Sequence, residues 1–170
     1  MKIDEAIQEL AGATTISKKA ISAPRVLCEA YDYSPRPSSF SRGLRLDIGG
    51  VTILLISGTA SVDEQGQTIH VGDLRAQTRR TYENITALLA SEGATWKDVV
   101  RTTCYLRDID RDYAGFNEER TTFYSEQELD PLPASTGIQA KLCRPDLLVE
   151  IEAIAIFKNE GSPRPALSRG

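Results

Sequence analysis

The stretch Leu147-Leu-Val-Glu-Ile-Glu-Ala-Ile-Ala-Ile-Phe157 decides the fold class. Along a strand, successive side chains point to opposite faces. Leu147, Val149, Ile151, Ala153, Ala155 and Phe157 then fill one face, while Leu148, Ile154 and Ile156 make the other largely apolar too. Such a strand has to be covered on both sides. Glu150 and Glu152 interrupt the pattern and share the second face. A carboxylate flanked by Val149 and Ile151 loses hydration unless it is paired, hydrogen-bonded or lining a wet pocket. Desolvation raises its pKa toward neutrality, where a general acid/base operates. Glu150 and Glu152 are therefore both candidate acid/base groups, and pairing of one of them with an arginine across strands or subunits is the structural alternative.

Upstream of this strand, Leu44, Leu46 and Ile48 alternate with Arg45 and Asp47, and Gly49-Gly50 supplies a hairpin turn into the apolar run Val51–Ile56. Asp73 is a good N-cap for a helix in which Leu74, Gln77, Thr81, Ile85, Leu88 and Leu89 recur at helical spacing, and Gly93 suits the left-handed position after its end. Val100, Thr102, Cys104 and Leu106 alternate with polar neighbours in a strand ending at Asp108. A second helix is expected from Tyr113 to Gln127, with Phe116, Arg120 or Thr121, and Tyr124 on one stripe, broken by Pro131 and Pro133. Strands over Ser135–Leu142 and Leu147–Phe157, joined by the turn Arg144-Pro145-Asp146, complete an α+β domain with both helices on one face of the sheet. The uncovered apolar face then calls for an obligate homo-oligomer of cyclic symmetry.

The ends read differently. Residues 1–37 form an N-terminal extension: Ile3, Ala6, Ile7 and Leu10 lie at helical spacing, a Thr/Ser/Lys-rich connection follows, and 24–31 reads as a strand before Pro35 and Pro37. The compact domain is expected over 38–157, and the Gly/Ser/Pro/Arg-rich tail 158–170 as disordered.

The chain has 170 residues, enough for one compact domain, with 20 basic and 24 acidic residues and a net charge of −4. That balance, without a Lys/Arg cluster, argues against a nucleic-acid partner. The longest apolar run is far short of the ~18 residues that cross a bilayer, and the start carries no secretory signal, so a soluble cytoplasmic protein is expected. Cys28, Cys104 and Cys143 lack metal or disulfide spacing, and with a single histidine no metal or other cofactor is expected. Cys104 and Cys143 read as small core residues, and His70 as a loop residue. Ser57-Gly-Thr-Ala-Ser61 reads as a tight turn at a strand end, or as a backbone nest for a carboxylate, which makes Gly58 and Thr59 candidate binding residues. Asn117, on a helix, could orient a ligand or pair with backbone.

The combination of Ile56-Ser-Gly58, Gly72-Asp73 with Gln77 and Asn84, Asp98-Val-Val-Arg-Thr-Thr103, Asn117, Pro133-Ala-Ser135 and Val149-Glu-Ile-Glu-Ala-Ile-Ala155 resembles the RidA/YjgF family of enamine and imine deaminases, over about Phe40 to Phe157. The resemblance implies a chorismate-mutase-like fold and a homotrimer with a small-molecule pocket in each inter-subunit cleft. It carries pocket roles onto Phe40, Gly58, Asn117, Ser135 and Glu150. At Ser135 the family has an arginine that holds the substrate carboxylate, so the charge is lost there, and Arg42 or Arg144 is a candidate replacement. Gly137 stands where the family has a cysteine and Phe40 where it has a tyrosine. Together these assign Glu150 the activation of water, and Gly58, Asn117, Ser135 and Thr136 the holding of substrate. A non-catalytic metabolite-binding or regulatory trimer is the alternative. The nuclease activity attached to some members finds little support in this charge balance. Ser57–Ser61 with His70-x-Gly-Asp73, and Cys143–Ile151, are locally similar to chorismatases, a further hydrolase alternative.

Overall fold

The computed structural model describes residues 16–159. Six strands, β1 (Ile16–Ala20), β2 (Gly43–Ile48), β3 (Val51–Ala60), β4 (Val99–Leu106), β5 (Ala134–Gln139) and β6 (Val149–Lys158), form one mixed sheet in the order β1-β2-β3-β6-β4-β5. β4 and β5 run parallel, and every other neighbouring pair is antiparallel. The strand apolar on both faces, β6, sits between β3 and β4. Its Val149, Ile151, Ala153 and Ala155 enter a core with Tyr82, Ile85, Leu88 and Leu89 of α1 (Leu74–Ser91) and Phe116, Phe123 and Tyr124 of α2 (Ile109–Glu126). Both helices therefore cover one face. On the other, Leu55 and Ile156 remain 38% and 42% exposed, which leaves a large apolar surface without a partner in the monomer.

Local chemistry explains the element ends. Gly49 and Gly50 both take positive φ, 53° and 82°, as the two-residue β2–β3 hairpin requires. The Asp73 carboxylate accepts from the Ala76 N–H at 3.0 Å, and Gly93 takes φ 73° two residues past α1. Asp108 repeats the cap on α2, accepting from the Arg111 N–H at 3.1 Å, so this helix starts four residues before the expected Tyr113. The apolar stripe there begins late because the first turn is polar, and its capping signal outweighs that.

Several expectations are corrected. The Thr/Ser/Lys-rich connection contains β1, an exposed edge strand paired with β2. Residues 24–31 form no strand: a short 3-10 turn over Ala30–Asp32 stands there, and the buried Leu27 and Ala30 anchor it. Ser57–Ser61 is not a tight turn, because β3 continues to Ala60 through a register irregularity between Ile56 and Thr59. β5 ends at Gln139 and lies exposed along the sheet edge. β6 includes Lys158, and the Asn159 N–H donates to the Gly50 carbonyl, so the strand outlasts the expected tail boundary. The helical stretch Ile3–Leu10 and the tail from 160 onward lie outside the described residues.

Candidate functional site between two walls

The motif polar residues of α1 act as ties that set the ends of β3 and β6. Gln77 is fully buried, donates to the Asp146 carbonyl at 2.8 Å and to the His70 carbonyl at 3.2 Å, and accepts from the Leu148 N–H at 2.8 Å. The Asn84 amide donates to the carbonyls of Ala60 and Val62, both at 2.9 Å. Buried side-chain amides that donate to backbone carbonyls in this way are expensive to disturb. They hold in place the irregular end of β3, carrying Gly58, and the start of β6, carrying Glu150. His70 is a loop residue, as expected, with φ 58°.

Glu150 pairs with Ala60 of β3 and Tyr105 of β4, so its side chain stands on the face away from the helices. Its carboxylate lies against Gly58, where an added Cβ would overlap it and stand 3.0 Å from its Cδ. A side chain at position 58 fits only if the Glu150 carboxylate moves away. Burial pushes the Glu150 carboxyl above its usual range, the neighbouring Glu152 pushes it further, and Arg42 opposes both. Tyr105 beside it is also raised, first by burial and then by Glu152. Among the described residues no donor hydrogen-bonds the Glu150 carboxylate. It borders a cleft of about 940 Å³ that Tyr33, Phe40, Arg42, Gly58, Arg144 and Glu152 also line.

Arg42 and Arg144, the candidate replacements for the lost charge, both reach this cleft, but their guanidinium groups are engaged. Arg42 is buried, donates to the Cys28 carbonyl at 2.8 Å and to the Tyr33 hydroxyl, and lies over the Tyr33 and Phe40 rings at 5.1 and 5.5 Å. Arg144 donates to the Gly66 carbonyl at 2.8 Å and lies over the Tyr33 ring at 4.6 Å. Both shape the wall around Tyr33. Cys143, expected in the core, is exposed and lines the same cleft, whereas Cys104 is buried, its thiol pushed up by burial.

Asn117 and Ser135 stand elsewhere. Ser135 pairs with Thr102, whose hydroxyl donates to it at 3.0 Å on the helix side of the sheet. With Asn117, Arg120, Tyr124 and Leu132 it lines a second pocket of about 490 Å³ between α2 and β5. The sheet separates this pocket from Glu150 within one chain. Arg120, which the sequence placed only as an alternative on a helical stripe, joins Asn117 and Ser135. The i, i+3 spacing from Asn117 was the available signal. Thr59 and Thr136 line neither cavity. Thr59 is buried and donates to the Ser57 carbonyl at 2.8 Å, and Thr136 lies on the face opposite Ser135, accepting from Arg101 at 3.1 Å.

The sequence profile of the endoribonuclease L-PSP family matches residues 38–157. The chain belongs to this family, the RidA/YjgF proteins. It is 32% identical over 123 residues to a RutC family protein of Pyrococcus abyssi, covering 72% of this chain and 90% of that one. It is 36% identical over 103 residues to the 3-aminoacrylate deaminase RutC of Acinetobacter baylyi, covering 61% and 78%. The fold agrees with the YjgF gene product of E. coli at a TM-score of 0.65 and 26% identity, and with E. coli TdcF with bound serine at 0.66 and 26%, each over 82% of this chain and 99% of the other. As a RidA/YjgF protein it has the expected α+β fold with two helices on one sheet face. Among the described residues no helix is long and apolar enough to cross a membrane, and no three His, Cys, Asp or Glu side chains are grouped to hold a metal ion.

Proposed function

We propose that this RidA/YjgF protein hydrolyses a small imine or enamine bearing a carboxylate, at a site that two copies assemble in a homotrimer, without a cofactor. The observation that carries the reading is the Glu150 carboxyl: set against Gly58 in an open cleft, raised by burial and Glu152, and without a hydrogen-bond donor among the described residues. A water positioned there gives its proton to Glu150 as its oxygen attacks the iminium carbon. The carbinolamine nitrogen then takes that proton back from the carboxyl, and as the C–N bond breaks and ammonia leaves, the hydroxyl proton passes to the Glu150 carboxylate and the carbonyl forms. An enamine first takes a proton on its β-carbon from the Glu150 carboxyl, which leaves the iminium and the carboxylate that activates the water. The similarity to a 3-aminoacrylate deaminase supports this reaction class.

The assembly follows from the two walls. Glu150 and the Asn117–Ser135 pocket lie on opposite faces of one sheet, so they can meet one ligand only if a second copy brings its α2–β5 edge to the open face. The exposed Leu55 and Ile156 supply the apolar surface for that contact. Residues 38–157 form the catalytic unit, residues 1–37 an extension, and the three unpaired cysteines suit the cytoplasm.

Glu150→Gln keeps the oligomer mass by light scattering and abolishes turnover of 2-imino acids generated by an amino-acid oxidase; undiminished turnover removes Glu150 from the reaction. The second reading, a metabolite-binding trimer without catalysis, is favoured by the neutral Ser135 at the position of the family arginine, and saturable binding without turnover by the wild type would establish it. The chorismatase-like alternative rests on its local sequence stretches alone. Chorismate left unconsumed excludes it.

A further inference from the structure

We propose that Arg120 is the residue that holds the carboxylate of the ligand, taking over the charge absent at position 135. The proposal rests on the composite-site reading above. Most arginines here are spent: Arg45, Arg75, Arg79 and Arg111 pair with carboxylates, and Arg42, Arg80, Arg107 and Arg144 donate to backbone carbonyls. Arg120 is held differently. One terminal nitrogen donates to the Ser135 hydroxyl at 3.2 Å and the other to the Asn117 side-chain oxygen at 2.5 Å, while the guanidinium lies over the Phe116 ring at 5.2 Å. Both acceptors are neutral, and among the described residues no carboxylate lies within ion-pair distance of it.

A guanidinium carries five N–H donors; Ser135 and Asn117 take two and the Cys104 thiol engages Arg120 as well, so about two remain for a ligand. Those donors border the 490 Å³ pocket whose other walls include the apolar Leu129, Leu132 and Pro133. A cation fixed in a partly dry concavity without a counter-ion is an anion site, and its planar fork matches a carboxylate. Ser135 and Asn117 act here as positioning residues that aim Arg120. The sequence distance between Asn117 and Arg120, about one helical turn, keeps both on the same wall. The substrate class that follows is a small imino or enamino acid, with its carboxylate on α2 of one copy and its C=N carbon toward Glu150 of the next.

The probe is 2-oxobutanoate, the carbonyl product of a four-carbon 2-imino acid, titrated into the intact oligomer by calorimetry beside its neutral amide. Arg120→Gln is expected to weaken the anion about tenfold to a hundredfold while changing the amide less than about twofold, as the loss of a charged hydrogen-bond pair implies. Arg120→Met, which keeps the stem over Phe116, gives the same split, and Arg120→Lys falls between the two and the wild type. Anion binding unchanged in both neutral variants, anion and amide weakened alike, or no saturable binding of the anion by the wild type overturns the assignment. Arg120-dependent binding by a wild type that hydrolyses no imine leaves Arg120 in place and removes the reaction instead.

Discussion

The two walls of the site solve opposite electrostatic problems. Three arginines, Arg36, Arg42 and Arg144, and two glutamates line the larger cleft; Arg42 and Arg144 are tied to backbone carbonyls, and Glu150 is left as a raised acid that accepts no hydrogen bond among the described residues. In the smaller pocket a single cation stands without any acid, braced by neutral oxygens. Glu150 and Arg120 lie on opposite faces of the sheet, and in the assembly we propose a second copy brings them together around a ligand.

Disturbing the acid wall has the largest effect. Gly58→Ala places a methyl group on the Glu150 carboxylate and must displace it, so kcat/KM falls on the order of a hundredfold, as for a misplacement of about 1 Å. Steady-state kinetics on the folded oligomer checks this, and retention of wild-type kcat/KM would show that the carboxylate is not positioned by Gly58.

Titration gives a smaller and more selective effect. Because burial and then Glu152 raise the Glu150 carboxyl, the acid limb of the kcat/KM profile lies above the usual carboxylate value of 4.5, and activity drops as pH falls through it. Glu152→Gln removes the second cause, so the limb moves to lower pH. A limb unmoved or displaced upward contradicts the electrostatic account. The stability sign runs opposite to that of a salt-bridged carboxylate. A raised folded pKa means the folded state binds this proton more tightly, so the contribution is present at low pH and lost as pH rises through the folded value. Glu150→Gln is therefore at least as stable as wild type at pH 7, readable in chemical denaturation. The smallest change lies far from both walls: Asp73→Ala removes the α1 cap and costs about 1 kcal/mol in the same assay, without altering ligand affinity.

Much of the fold was legible because its signals are local. The two-faced apolarity of 147–157 placed β6 in the sheet centre, and Gly49-Gly50 and Asp73 fixed a hairpin and a helix start through conformations and donors that neighbouring residues alone decide. The errors fall where a distant partner decides. β1 exists because it pairs with β2, despite a sequence rich in Thr, Ser and Lys, and β3 runs past Gly58 because β6 lies beside it. The site was half legible for the same reason. Glu150 betrayed itself as a charge in an apolar strand, while Arg120 lay on a helix face where an arginine is ordinary. The role proposed for it rests on a contact from a distant strand, the Ser135 hydroxyl that β5 brings within hydrogen-bond reach.

Subunit mixing tests the division of the site most directly. Glu150→Gln and Arg120→Gln homo-oligomers, each impaired alone at substrate concentrations below KM, are unfolded together, refolded together and assayed. Random assembly of trimers gives each inter-subunit site an intact Glu150 from one copy and an intact Arg120 from the other in about a quarter of cases, so activity returns to about a quarter of wild type. Activity no greater than that of the separate variants would place both residues in the service of one chain and contradict the composite site.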